Sequence, residues 1–120
     1  MPARKPPKTI ALCKLAVKAL EDHKAFDIKV INVTKLTSIT DRMIIASGSS
    51  TRHVSALADK VCEASRKRGV RPLGTAGVLE GNWALIDLGD VVVHIMRTAI
   101  RDHYQLEKLW SVKAKKSTAG

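Results

Sequence analysis

Aromatic residues are scarce in this 120-residue chain: one Phe, one Tyr and two Trp. That scarcity argues against a stacking platform for single-stranded nucleic acid, which needs several aromatic faces in a basic groove. Two cysteines, Cys13 and Cys62, stand without neighbours at metal-ligand spacing. They exclude a disulfide scaffold and a zinc site, and each falls on the apolar side of an expected helix as a reduced core thiol. No apolar run approaches the roughly 20 residues that span a bilayer, and Lys-punctuated segments follow the basic N-terminus, so no membrane span or secretory core is expected. Internal repeats and low-complexity segments are absent as well.

What is present is basic charge, with a formal net charge of +10. Its placement matters more than its size. Arg4, Lys5 and Lys8 belong to a proline-broken leader and Lys113, Lys115 and Lys116 to a tail, so residues 9 to 112 carry 15 basic against 11 acidic side chains. The expectation is a flexible basic leader over 1–8, one domain over 9–111 and a flexible basic tail over 112–120. Mobile basic ends attract a polyanion in a salt-dependent way but do not recognise bases.

Hydrophobic periodicity orders the elements. Thr9 is expected to cap a helix with Ile10, Cys13, Ala16, Val17 and Leu20 on one face, ending near Lys24. Phe26 to Val33 and Met43 to Ser47 have strand character around a polar connection. Thr51 is expected to cap a second helix faced by Val54, Leu57, Ala58, Val61 and Cys62, with Gly69 as its stop. Arg71 to Thr75, Trp83 to Leu88 and Val91 to Arg97 follow as strands, the last two joined by a two-residue Gly89-Asp90 turn. A final helix is expected from Thr98 to Trp110. The order α, β, β, α, β, β, β, α implies a single mixed α/β domain: a mixed sheet of about five strands flanked by helices.

Candidate chemistry is thin. Ile45 to Thr51, IASGSST, passes from strand to helix and could offer backbone N–H groups to an anion, yet it lacks a Walker lysine and a Rossmann glycine triplet. A Gly-Ser pair before a helix also suits nucleotidyl transfer, which needs carboxylates converging on a metal. Here Asp59 and Glu63 lie four apart on a helix and no strand carries an Asp-x-Asp pair, so the catalytic set is missing. Asp87 and Asp90 flank a tight turn, where carboxylates bond to local backbone. His94, inside an apolar strand, is expected to be a hydrogen-bonded structural residue, and His23, His53 and His103 make no ligand pattern. No cofactor and no metal are expected.

The segment from Trp83 to Trp110, WALIDLGDVVVHIMRTAIRDHYQLEKLW, is more informative, since it holds three of the four aromatics. On its helix Leu109, Leu106, Trp110, His103, Ile100 and Tyr104 cover an arc of roughly 220° at about 100° per residue. A helix lying on its own sheet needs a stripe nearer ~100°. The remainder of that arc is available to a partner. Trp83 shares a strand face with Leu85 and Asp87, opposite Ala84 and Ile86.

Four segments together resemble the ribosomal silencing factor, or Iojap-like, family: Ser38 to Ile45 (SITDRMII), Ser50 to Val54 (STRHV), Trp83 through Asp87-Leu-Gly-Asp90 to His94, and Tyr104 to Trp110 (YQLEKLW). They occur in order and with compatible spacing over residues 10 to 111. The resemblance implies a fold related to nucleotidyltransferases but without their catalytic residues. It also implies binding to the large ribosomal subunit through ribosomal protein fourteen, obstruction of small-subunit docking, lowered translation under nutrient limitation, and a homodimer off the ribosome. On that basis Trp83, Asp87, Asp90 and Tyr104 are the first candidates for partner contact or its support, with Asp41, Arg42 and Met43 second. The basic ends would meet adjacent rRNA, and a bacterial cytoplasm is the expected location. Two departures from the family pattern, Ala76 before Gly77 and Ala99 before Ile100 and Arg101, remove negative charge. The rival readings are a nucleotide-binding or nucleotidyltransferase-like enzyme using Gly48 to Thr51, and a general RNA-binding protein acting through its basic ends.

Overall fold

The computed structural model describes residues 5–105, with side chains described from Thr9 onward. Three helices and five strands follow one another as α1 (Lys5–Asp22), β1 (Phe26–Asn32), β2 (Arg42–Gly48), α2 (Thr51–Lys67), β3 (Gly74–Ala76), β4 (Trp83–Asp87), β5 (Val91–Arg97) and α3 (Thr98–Tyr104). The element order is the one expected. The strands form one sheet in the order β1-β2-β5-β4-β3, in which only the β2–β5 pair is parallel. A parallel pair requires a long crossover, and α2 supplies it.

The central strands are the reason that simple alternation fails for β2 and β5. Both faces of these strands are covered, so Met43 to Gly48 is buried throughout and Val91 to Met96 nearly so, the pattern of a strand buried on two sides. On one face α1 and α2 pack over Ile44, Ala46, Ala84, Ile86, Val93 and Ile95. The opposite face carries a smaller cluster of Val33, Met43, Ile45 and Met96, with Trp83 and Ile100 partly buried against it. The strand β4 alternates as expected, Ala84 and Ile86 buried on the helix side and Trp83, Leu85 and Asp87 half-buried on the other.

Several local expectations are corrected. Helix α1 begins at Lys5 rather than at a Thr9 cap. Pro6 and Pro7 sit in its first turn, where backbone N–H groups have no intrahelical acceptor to lose. Thr9 instead lies buried within the helix and its hydroxyl donates to the Asp90 carboxylate (3.1 Å). The buried stripe therefore runs through Thr9, Leu12, Ala16, Ala19 and Leu20, and Ile10, expected inside, is half exposed. The cap of α2 is Ser50, whose hydroxyl accepts the His53 N–H (3.1 Å), and not Thr51. Gly69 follows the helix with φ +81° as expected. The first strand after α2 is Gly74–Ala76, shifted toward β4 from the expected Arg71 to Thr75, because its register is set by pairing with Leu85 to Asp87. Helix α3 ends at Tyr104, where Gln105 turns left-handed (φ 49°, ψ 45°) and returns its N–H to Arg101. The expected continuation to Trp110, with Leu106 and Leu109, lies outside the described residues.

Candidate functional site: the second face of the sheet

The face away from α1 and α2 is assembled by register. Trp83 pairs across to Met96 and Ser47, Leu85 to His94 and Ile45, and Asp87 to Val92 and Met43, so three side-chain rows lie on one surface. Helix α3 follows β5 directly and packs on β5 and β2. What remains at β4 is only half-covered: Trp83, Leu85, Asp87 and Val92 are all partly exposed.

Trp83 is fixed from two sides. Its indole N–H donates to His94 Nδ1 (2.9 Å), and its ring lies 5.0 Å from that of Tyr104, centroid to centroid. Tilted aromatic pairs at this separation contribute about 0.5–1.5 kcal/mol beyond burial. Tyr104 keeps 55% of its surface exposed and also meets His103 edge to face (4.8 Å). Behind Trp83 the chain turns at Gly77 (φ +70°), where a β-carbon would stand 2.1 Å from the Trp83 carbonyl oxygen. Only glycine accommodates that approach.

His94 is buried, and loss of solvent pushes its pKa down to about 4. The ring is therefore neutral at physiological pH. Its role as acceptor for Trp83 agrees with the structural reading of this histidine.

Arg101 was missed by sequence reasoning. It is buried on α3, and its guanidinium donates to Ser47 Oγ (2.8 Å) and to the Asp27 carbonyl. Asp27 adopts φ +50° at an irregularity in the β1–β2 pairing, which turns its carbonyl toward the arginine, as bulges re-aim groups elsewhere. These bonds pin α3, and with it Tyr104, to the sheet. A serine interrupting the apolar run of β2 was the available signal.

The other candidates gather at the far end of the sheet. Asp87 Oδ1 accepts the Gly89 N–H (2.9 Å) and closes the β4–β5 turn, whose two central residues are Gly89 and Asp90 between Leu88 and Val91. The Asp90 backbone carbonyl accepts from both Asp41 and Arg42 N–H groups (2.9 and 3.1 Å), while Arg42 Nη1 reaches the Asp41 carbonyl (3.1 Å). Asp90, Asp41 and Arg42 thus bind the turn to the β1–β2 connection and to α1. Met43 is buried in the second cluster and lies beneath the surface rather than on it. Asp87, at half exposure, is the only carboxylate of this group on the same face as Trp83.

The strand-to-helix turn, expected to be a plain turn and helix cap rather than an anion site, has the Ser50 cap on the His53 N–H and its Ser49 N–H engaged. The Ser49 N–H donates to His53 Nδ1 (2.9 Å), so His53 carries its proton on Nε2 and donates it to the His23 carbonyl (2.8 Å). A phosphate at Ser49 would have to displace this histidine. Glu63, one of the carboxylates weighed for metal chemistry, pairs with Lys60 and Lys67 on the outer face of α2, and the two lysines hold its carboxyl below the usual range. Among the described residues no group of three or more His, Cys, Asp or Glu could hold a metal ion, and no helix is long and apolar enough to cross a membrane. Cys62 is buried and Cys13 half-buried against the helix-side core, both as free thiols raised in pKa by burial.

Comparison with known proteins agrees with this architecture. The family model described as "Ribosomal silencing factor during starvation" matches residues 6–119. A ribosomal silencing factor of Chromobacterium violaceum is 48% identical over 99 residues, covering 82% of this chain and 81% of the relative. One of Haemophilus influenzae is 41% identical over 102 residues, covering 85% of this chain and the whole of the relative. A crystal structure of a Chromobacterium violaceum protein superposes with a TM-score of 0.83 at 48% identity, covering 84% of each chain. A match along nearly the whole length, in sequence and in fold, shows that the chain belongs to the ribosomal silencing factor family.

Proposed function

We propose that the chain represses translation by docking on the large ribosomal subunit through ribosomal protein fourteen, where its bulk keeps the small subunit from joining. The observation that carries this reading is the half-open second face, on which Trp83, Leu85, Val92 and Tyr104 present apolar and aromatic surface held in a rigid frame. Steric exclusion needs such a surface and no bond-breaking chemistry. A body 21 Å across its thinnest direction is thick enough to separate two joining surfaces.

In this reading Trp83, Tyr104 and Asp87 make contact, while Asp90, Asp41, Arg42 and Met43 support the surface from the turn end and from beneath. The basic ends raise the encounter rate near rRNA, a contribution that falls with added salt. Off the ribosome the chain pairs with a second copy. Translation falls when nutrients are limiting because subunits so capped cannot form working ribosomes.

Sedimentation of purified subunits tests the proposal. Wild-type protein is expected to co-sediment with the large subunit and to reduce the fraction of joined particles. Tyr104→Ala and Trp83→Ala are each expected to weaken the large-subunit contact by about thirtyfold, the cost of truncating one aromatic anchor of about 2 kcal/mol. Tyr104, more exposed, separates docking from folding. If the wild type leaves subunit joining unchanged, the proposal is wrong.

A further inference from the structure

Among the described residues, the half-open face contains a buried polar group with no hydrogen-bond partner for one of its ring nitrogens. An indole N–H can only donate, so His94 must accept through Nδ1, and a neutral ring then carries its proton on Nε2. Among the described residues no acceptor meets that proton. His94 is only 6% exposed and stands between Leu85 and Ile45 across the strands, with Val92 and Met96 next along its own face of β5. Buried donors are nearly always paired, and an orphan calls for an explanation.

We propose that His94 Nε2–H is the hydrogen-bond donor of the docking face, set for a neutral carbonyl oxygen of the partner protein. This rests on the docking reading above and names the chemistry of its central contact. A carboxylate is disfavoured as the acceptor, because it would be desolvated among Leu85, Ile45 and Met96 on the face that also carries Asp87. Trp83 is then a positioning residue as well as an anchor, since its N–H fixes both the tautomer and the rotation of the imidazole. One donor at a set place in an apolar patch gives register, which apolar contact alone does not.

The first arm measures the tautomer in the free, full-length protein by long-range proton–nitrogen NMR of the His94 ring. The expected result is a neutral ring protonated at Nε2, and a proton on Nδ1 overturns the proposal. The second arm titrates the labelled protein with purified ribosomal protein fourteen of the large subunit. The Nε2 proton is expected to shift and to exchange more slowly with water on binding. Wild-type binding that leaves this resonance unmoved overturns the proposal but spares the docking reading, whereas no binding removes both. Two variants add a functional readout against large subunits. His94→Asn keeps an acceptor near Nδ1 for Trp83 but has no atom at Nε2, and is expected to bind about tenfold more weakly. His94→Gln reaches the Nε2 position with an amide donor but gives up the acceptor for the Trp83 N–H, and is expected to bind more tightly than His94→Asn and more weakly than wild type. Equal affinity of folded His94→Asn and wild type would also overturn it.

Discussion

The two faces of the sheet differ in how completely they are closed. Between the sheet and helices α1 and α2, Leu20 and Leu57 of the helices and Ile44, Ile86 and Val93 of the strands are sealed from solvent. On the other side, among the described residues, the short helix α3, pinned by Arg101, leaves Trp83, Leu85, Asp87 and Val92 half-covered. The first face supplies stability. The second uses that stability to hold an aromatic pair and a carboxylate, each partly exposed, in a fixed arrangement around a buried histidine. A small domain that must fold and also present apolar surface gains from putting the two tasks on opposite sides of one sheet.

Leucine-to-alanine exchange on the sealed face gives the largest effect. Leu57 is fully buried on α2, and deleting three carbons there leaves a cavity between helix and sheet. Leu57→Ala is expected to lower unfolding stability by about 2–5 kcal/mol, measured by urea denaturation. For a chain of 120 residues, that is much of the margin. A loss below about 1 kcal/mol would show that the helix face is not where stability resides.

A second effect, of up to about 3 kcal/mol, belongs to His94 and depends on pH. Burial lowers its pKa from 6.5 to about 4 in the folded protein. Between those two values the unfolded chain binds the proton and the folded one does not, so stability rises with pH in that window. The contribution is complete above pH 6.5, is lost as pH falls toward about 4, and then levels off. The measurement is the difference in unfolding free energy between wild type and His94→Asn across pH 4 to 7, which cancels the carboxylates common to both. A flat difference would mean that His94 is solvated, and that the second face is more open than its burial indicates.

Much of this comparison was legible in the residues themselves. The period of α2 named its buried face, the alternation of Trp83 to Asp87 separated the two sides of β4, and the Gly89-Asp90 turn joined the right strands. Contacts between distant residues were not legible. The bond from Thr9 to Asp90 spans 81 positions and sets the rotation of α1, which is why Ile10 was expected inside. Helix α1 carries apolar residues on several sides, so periodicity alone could not decide between two orientations. Arg101 reaches back 74 positions to a carbonyl turned by an irregular strand, a geometry that no local pattern encodes. The family resemblance pointed to Trp83 and Tyr104, but their meeting through His94 and Arg101 required the fold. The aspartates divide for the same reason: Asp90 is spent on α1 and the β1–β2 connection, and Asp87 alone keeps company with Trp83.

The smallest expected loss of stability sharpens the contrast most, because it repeats the first substitution on the other face. Leu85 lies beside His94 and is half-buried, so part of its side chain already meets water in the folded state. Removing it forfeits only part of a leucine's burial and leaves an open notch rather than a closed cavity, and Leu85→Ala is expected to cost about 1 kcal/mol or less. On the docking reading the same change removes apolar contact at the centre of the interface, so binding to large subunits should fall while the urea midpoint barely moves. Leu57→Ala should do the reverse, leaving the affinity of the folded fraction unchanged. If Leu85→Ala instead destabilises the domain as much as Leu57→Ala, both faces are closed cores, and the docking surface proposed for this face must be sought elsewhere on the molecule.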